Sequence, residues 1–205
     1  NDGGNVVVRA SGGQLATTAT VNFLADIGQG RHFEANSSAT LLSTEETATI
    51  TASIKDGVAE PVSGIPINFS VALANGDQSS AQLLTPIPAN SVTDKNGEVQ
   101  ITVIDNVKEN VIVTVQAGTA TQKILLYVGA TVNIIPQGAI GTADGKTSVT
   151  LTANVKDANG AGIKGAVINF HATGDTQALL DVFRATTDDV GQAAVKVTNT
   201  VAEDT

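Results

Sequence analysis

Residues 146–170 read Lys-Thr-Ser-Val-Thr-Leu-Thr-Ala-Asn-Val-Lys-Asp-Ala-Asn-Gly-Ala-Gly-Ile-Lys-Gly-Ala-Val-Ile-Asn-Phe. Val149, Leu151, Ala153 and Val155 alternate with Thr150, Thr152, Asn154 and Lys156. Period two puts the apolar set on one face of an extended run and the polar set on the other, as a half-buried strand requires. Asp157, Asn159 and Gly160 break the alternation: Asp and Asn bond their own backbone, and Gly accepts positive φ. Val167–Phe170 resumes an extended run. The design occurs earlier, in Thr49–Gly57 followed by Ile67-Asn68-Phe69. Lys55-Asp56 recurs as Lys156-Asp157 and Asn68-Phe69 as Asn169-Phe170, and 156 − 55 and 170 − 69 both give 101. A fixed period over that span predicts tandem units of roughly 100 residues, the size of a β-sandwich.

Outward from this stretch, residues 1–28 read as a hairpin: Asn5–Ala10, a Ser11-Gly12-Gly13 turn, then Ala16–Ala25. They resemble 110–129, with Gly28 matching Gly129. We therefore expect 1–28 to be the closing hairpin of a preceding unit, 29–129 a full unit, and 130–205 a unit lacking its last hairpin. In the first full unit, strands are expected near 38–42, 47–55, 65–73, 81–85, 90–93, 97–104, 110–116 and 120–128. Gln29–Ser38 and Ala130–Lys146 read as junctions, the latter opening with a strand at Ala130–Pro136. Thr93–Gly97 and Thr187–Gly191 are matching hairpin turns. They lie 94 residues apart, so the second unit should have a shorter loop around Gly174–Leu179. The register of the two ends is complementary, which leaves two readings open: self-association through residues 1–28 by strand addition to a neighbouring copy, or a segment cut without regard to domain edges, with its ends disordered or self-paired.

Composition narrows the function classes. Hydrophobic residues make up 41% of the 205 and aromatics 3%, so the cores must be aliphatic. A net charge of −9 argues against a nucleic-acid partner, which would require a basic patch. The chain has no cysteine, which suits a protein that crosses an outer membrane unfolded. It has no leading signal peptide and no run near the ~20 apolar residues of a membrane span, and so reads as an excised or mature segment.

Candidate chemistry is thin. His32 and His171 have no second His or Cys nearby, so no metal or catalytic residue is assigned to them. Gly138–Gly145 precedes a strand, not a helix, and forms no phosphate loop. Glu45-Glu46, Asp94 with Asn96, Asp157 with Asn159, and Asp188-Asp189 carry the oxygen ligands calcium takes, but they also have turn chemistry, which we favour. Sugar binding has no aromatic platform, with only Tyr127 and five Phe. Phe69 and Phe170 are expected as core plugs. No catalytic, cofactor-binding or metal residue is assigned, no cofactor is expected, and the chain is expected not to be an enzyme.

Residues Val149–Phe170, followed by Thr186–Thr198, and their counterparts Ile50–Phe69 and Thr93–Val103, resemble the bacterial Ig-like (Big-1) repeats of the intimin and invasin family. The resemblance implies an all-β chain of tandem Ig-like β-sandwich domains in an elongated rod. It further implies a non-catalytic stalk on the bacterial cell surface, outside the outer membrane. Such a stalk projects a tip toward a host-cell receptor and is anchored through regions beyond these residues. The alternatives are that the Ig-like domains themselves bind a host protein or glycan, or that they serve as an accessory module of a polysaccharide-degrading enzyme.

Overall fold

The computed structural model describes residues 4–12, 15–23, 30–84, 91–173 and 177–200, with side chains from residue 30 onward. Expectations at Leu24, Ala25, Gly28, the strand ends at 85 and 90, and the loop at 174–176 fall outside the described residues. Every described regular element is a strand. The chain divides into two compact units, Asn1–Leu126 and Tyr127–Thr205.

In the first unit, β1 (Gly4–Gly12) and β2 (Leu15–Phe23) pair as an antiparallel hairpin, Gly4 opposite Phe23 and Gly12 opposite Leu15. Next come β3 (His32–Ser37), β4 (Leu41–Leu42), β5 (Thr47–Lys55), β6 (Ile67–Leu73), β7 (Gln82–Leu84), β8 (Glu98–Ile104), β9 (Asn110–Ala117) and β10 (Ala120–Val128). They form two four-stranded sheets, ordered β3-β5-β8-β7 and β4-β10-β9-β6. The alternation read from the sequence is the alternation of burial. Ala48, Ile50, Ala52 and Ile54 on β5, and Val111, Val113, Val115 and Ala117 on β9, are fully buried. Each large aliphatic side chain removed from water in this way contributes about 1.5–3 kcal/mol. The β-branched Val, Ile and Thr that dominate these runs suit the pleated surface.

One expectation fails here. Gln29–Ser38 reads as a junction, yet His32–Ser37 is the edge strand β3, paired with β5 from His32 opposite Lys55 to Ser37 opposite Ile50. Phe33 and Ala35 point inward at 8% exposure each. Six residues with two apolar ones are a weak periodic signal, and the flanking Gly and Ser residues resemble a linker.

The second unit contains β11 (Thr131–Ile135), β12 (Val149–Lys156), β13 (Val167–Asn169), β14 (Leu179–Leu180), β15 (Arg184–Thr186) and β16 (Gln192–Thr198). One sheet has the order β11-β12-β16-β14, and among the described residues β13 pairs with β15 in a second sheet. The strand expected at Ala130–Pro136 is β11. Ala153, Val155, Ile163, Phe170 and Val195 form the buried core.

Candidate functional site

Four aspartates organise four near-identical turns. Asp56 Oδ1 accepts from Val58 N and Glu60 N, both at 2.9 Å. Asp94 Oδ1 accepts from Asn96 N at 2.8 Å and Glu98 N at 3.0 Å. Asp157 Oδ1 accepts from Asn159 N and Ala161 N, and Asp188 Oδ1 from Val190 N and Gln192 N, at 2.9–3.0 Å. The backbone amide of Glu98 donating to Asp94, helped by that of Asn96, holds the Asp94 carboxyl below its ordinary range against the opposing effect of burial. The fourth residue of each turn has positive φ: Ala59 (68°), Gly97 (72°), Gly160 (82°) and Gly191 (79°). Three are glycine, as that region favours. At Gly191 a Cβ would also lie 2.3 Å from Val155 O and 2.8 Å from Gly162 Cα, so the turn sits directly on its neighbouring strand.

Beside two of these turns lies a buried threonine. Thr93 Oγ1 donates to Val62 O at 2.7 Å and accepts from Ile65 N at 3.0 Å. Thr187 Oγ1 does the same with Ile163 O at 2.6 Å and Ala166 N at 2.9 Å. Their exposures are 2% and 4%. Each threonine therefore satisfies two backbone groups of the loop that leads into the Asn-Phe strand. The sequence singles out these turns but not the threonine lock; its presence at the same place in both turns is the available signal.

A second polar cluster joins Asp105 and Glu109 in the first unit. Ser80 Oγ lies 2.7 Å from Asp105 Oδ1 and 3.2 Å from Glu109 Oε1, and its single proton serves the shorter contact. Ser79 Oγ donates to Glu109 Oε1 at 2.6 Å, as does Ser80 N at 2.9 Å. Asp105 is 3% exposed, and its Oδ2 is buried without a hydrogen-bond partner. Burial, and then the nearby Glu109, push the Asp105 carboxyl up despite the hydrogen bonds from Ser80 and Val107 N. Burial also disfavours the charge on Glu109, but the hydrogen bonds from Ser79 and Ser80 outweigh it and hold that carboxyl below its usual range. Of the two carboxyls, Asp105 is therefore the one more readily protonated. It lies beside a shallow cavity of about 160 Å³ lined by Ser80, Gln82, Ile104 and Asn106.

The third feature is apolar. In the first unit β10 reaches across to the edge strand of the facing sheet: Gln122 Oε1 accepts from Ala35 N at 2.8 Å, and Gln122 Nε2 donates to Phe33 O at 3.0 Å. In the second unit the positions corresponding to Phe33 and Ala35, counted from the Lys55 and Lys156 pairings, are Val132 and Ile134. They are 51% and 42% exposed. Val149, Leu151 and Val197 are half-buried, whereas their counterparts Ala48, Ile50 and Val103 are at most 2% exposed. A cavity of about 370 Å³ opens over Val149, Leu151 and Val197, rimmed by Ala139, Gly141 and Thr142.

The remaining sequence candidates do not converge. His32 and His171 are exposed and belong to different units. Glu46 Oε2 accepts from Ser43 N at 2.8 Å in a turn where Glu45 has φ 69°. Gly138–Gly145 forms part of the cavity rim. Tyr127 is half-buried in β10, and Phe183 is 71% exposed. Among the described residues, no three His, Asp or Glu side chains cluster closely enough to hold a metal ion. Phe69 and Phe170 are buried at 7% and 6%, as expected of core plugs.

Residues 129–205 match the family model described as the bacterial Ig-like domain (group 1). Over 166 residues, 76% of the chain, the sequence is 30% identical to the inverse autotransporter adhesin YeeJ of Escherichia coli (strain K12), of which it spans 7%. Among solved structures, the D0-D1 domain of intimin is 19% identical with a TM-score of 0.40, covering 82% of this chain and 85% of that one. Invasin, described as a bacterial integrin-binding protein, is 18% identical with a TM-score of 0.39, covering 83% of this chain and 34% of that one. By its segment 129–205 the chain carries a bacterial Ig-like domain of group 1, and over 76% of its length it is similar to an inverse autotransporter adhesin.

Proposed function

We propose that this chain is a non-catalytic spacer of a bacterial surface adhesin, lying on the extracellular side of the outer membrane and holding a receptor-binding tip away from it. The observation that carries this reading is repetition of structure. The Asp-capped turns and the buried threonine occur at the same places in both units. What the chain repeats is the hardware of rigid sandwiches. The organisation that goes with it is a closing hairpin at 1–28 and Ig-like domains at 29–129 and 130–205, arranged as an elongated rod. Its partners are a host-cell receptor reached through the rest of the parent protein, and further copies of itself through residues 1–28. Nucleic acid is not among them, in keeping with the net charge of −9.

Two measurements test this. Small-angle scattering should give an elongated particle, and the chain alone should fail to bind host cells. Saturable host-cell binding by these 205 residues would assign adhesion to the Ig-like units themselves and overturn the spacer reading.

A further inference from the structure

The connection from β8 to β9 in the first unit carries two carboxyls with no cation to meet them. Gln82 at the start of β7 pairs with Ile104 at the end of β8, so the residues just outside that pair, Ser80 and Asp105, meet at the rim of the sheet. Glu109 stands immediately before β9, which belongs to the facing sheet. One oxygen of each carboxyl is engaged. Asp105 Oδ1 accepts from Ser80 Oγ at 2.7 Å and Val107 N at 2.9 Å, and Glu109 Oε1 accepts from Ser79 Oγ at 2.6 Å and Ser80 N at 2.9 Å. Asp105 Oδ2 is buried without a hydrogen-bond partner on a residue 3% exposed. Among the described residues, no Lys or Arg forms an ion pair with either carboxyl. A buried carboxylate is normally paired with a cation or coordinated to a metal. Asp105 has neither, and it lines a cavity of about 160 Å³.

We propose that this connection is a calcium site, with the carboxylates of Asp105 and Glu109 as its charged ligands and neutral oxygens completing the shell. The site does not depend on the spacer reading. Its donors are the reason for the choice of ion. The Ser80 hydroxyl and the side-chain amides of Gln82 and Asn106 line the same cavity, and neither nitrogen nor sulfur ligands stand beside them. An all-oxygen set selects a hard cation, and two carboxylates balance a charge of +2. Calcium accepts six to eight oxygens in irregular geometry, whereas magnesium demands a near-ideal octahedron, which a strand end and a loop do not supply. The cavity has room for an ion with several waters, each of which takes about 30 Å³. With only two carboxylates among the ligands, the affinity belongs in the range of extracellular modules, roughly 0.1–1 mM. The bound ion would tie the approach to β7 to the crossover between the two sheets, and it would supply the positive charge that the buried Asp105 lacks.

The test is calorimetric titration of the chelator-treated 205-residue chain with calcium chloride up to roughly 10 mM at constant ionic strength, with magnesium chloride in parallel and thermal melts at each end point. We expect saturable binding of about one calcium per chain, magnesium at least about tenfold weaker, and a first-unit melting temperature about 5 °C higher at saturation. Asp105→Asn keeps an acceptor for Ser80 and Val107 and removes the charge, and Glu109→Gln does the same on the other side. Each should weaken calcium at least about tenfold. Asp189→Asn removes an equal charge from an exposed position in the second unit and should leave the titration unchanged. No saturable calcium binding by the parent would overturn the site. So would parental affinity in Asp105→Asn and Glu109→Gln, which would put the ion on other carboxylates such as those of the Asp turns. Magnesium binding as tight as calcium would overturn the identity of the ion.

Discussion

Replacing Thr93 by Val keeps the shape of the side chain and removes only its hydroxyl. The hydroxyl serves Val62 O and Ile65 N at 2.7 and 3.0 Å, and Thr93 is 2% exposed, so water cannot take its place. The backbone is already committed there: Thr93 N donates to Ile65 O, and Gly64 N donates to Thr93 O. Leaving two buried polar groups without partners costs about 1–3 kcal/mol each, and the added methyl returns part of it, for a net loss of about 2–4 kcal/mol. For a unit of this size that is a fall in melting temperature of roughly 10–25 °C. Thr93→Ser, which keeps the hydroxyl and loses one methyl, should cost only about 1 kcal/mol. The assay is thermal and urea denaturation of parent, Thr93→Val and Thr93→Ser, with Thr187→Val as the twin in the second unit. The ordering is the diagnostic part. If Thr93→Val melts within about 2 °C of the parent, or above Thr93→Ser, the threonine is not a lock and the hydrogen-bond argument fails.

Four further outcomes follow from the geometry. Phe69→Ala and Phe170→Ala should each cost about 3–5 kcal/mol in denaturation, as deletion of a buried aromatic does; an unchanged midpoint would deny them a core role. Ala59→Gly should stabilise the first unit by up to about 1 kcal/mol by relieving a left-handed conformation that the other three turns give to glycine; a lower melting temperature would count against this. Asp105→Asn keeps the acceptor for Ser80 and Val107 and removes a buried charge beside Glu109. Because the folded-state value of Asp105 is raised, its ionised form opposes folding at neutral pH, and this cost fades as pH falls through the raised value. The variant should therefore be more stable than the parent at about pH 7, with the gap closing on acidification; a gap that widens would refute the upward shift of Asp105. Asp144, held at about 2 by Thr147 N, then Thr147 Oγ1 and Lys146 N, contributes stability that is present above its ordinary 3.8 and lost as pH falls from there toward 2. Asp144→Ala should flatten that acid limb in a pH titration of unfolding.

The parts of this fold that are legible in the sequence are those with long alternation or paired punctuation. β5, β8, β9, β10 and β12 each run at least seven residues with period two, and the Asp turns carry their own chemistry. β3 escapes such a reading because its inward residues, Phe33 and Ala35, are bracketed by linker-like Gly and Ser. The acid pair cannot be foreseen, because Asp105 meets Ser80 across 25 residues of chain through sheet pairing alone. Nor can the Gln122 clasp, which joins residues 87 and 89 positions apart in two different sheets. The open face of the second unit has a normal strand sequence in Val149–Lys156; its exposure depends on what the facing sheet supplies, and no strand records that about its neighbours.

In the first unit, the hairpin that covers the core is the last part of the unit in chain order. Ribosomal synthesis completes the β3-β5-β8 set at Ile104, before β9 and β10 emerge from Asn110 onward. A unit built this way meets its greatest risk of sticking to a sister molecule during translation, and in the first unit that risk ends when β9 and β10 arrive.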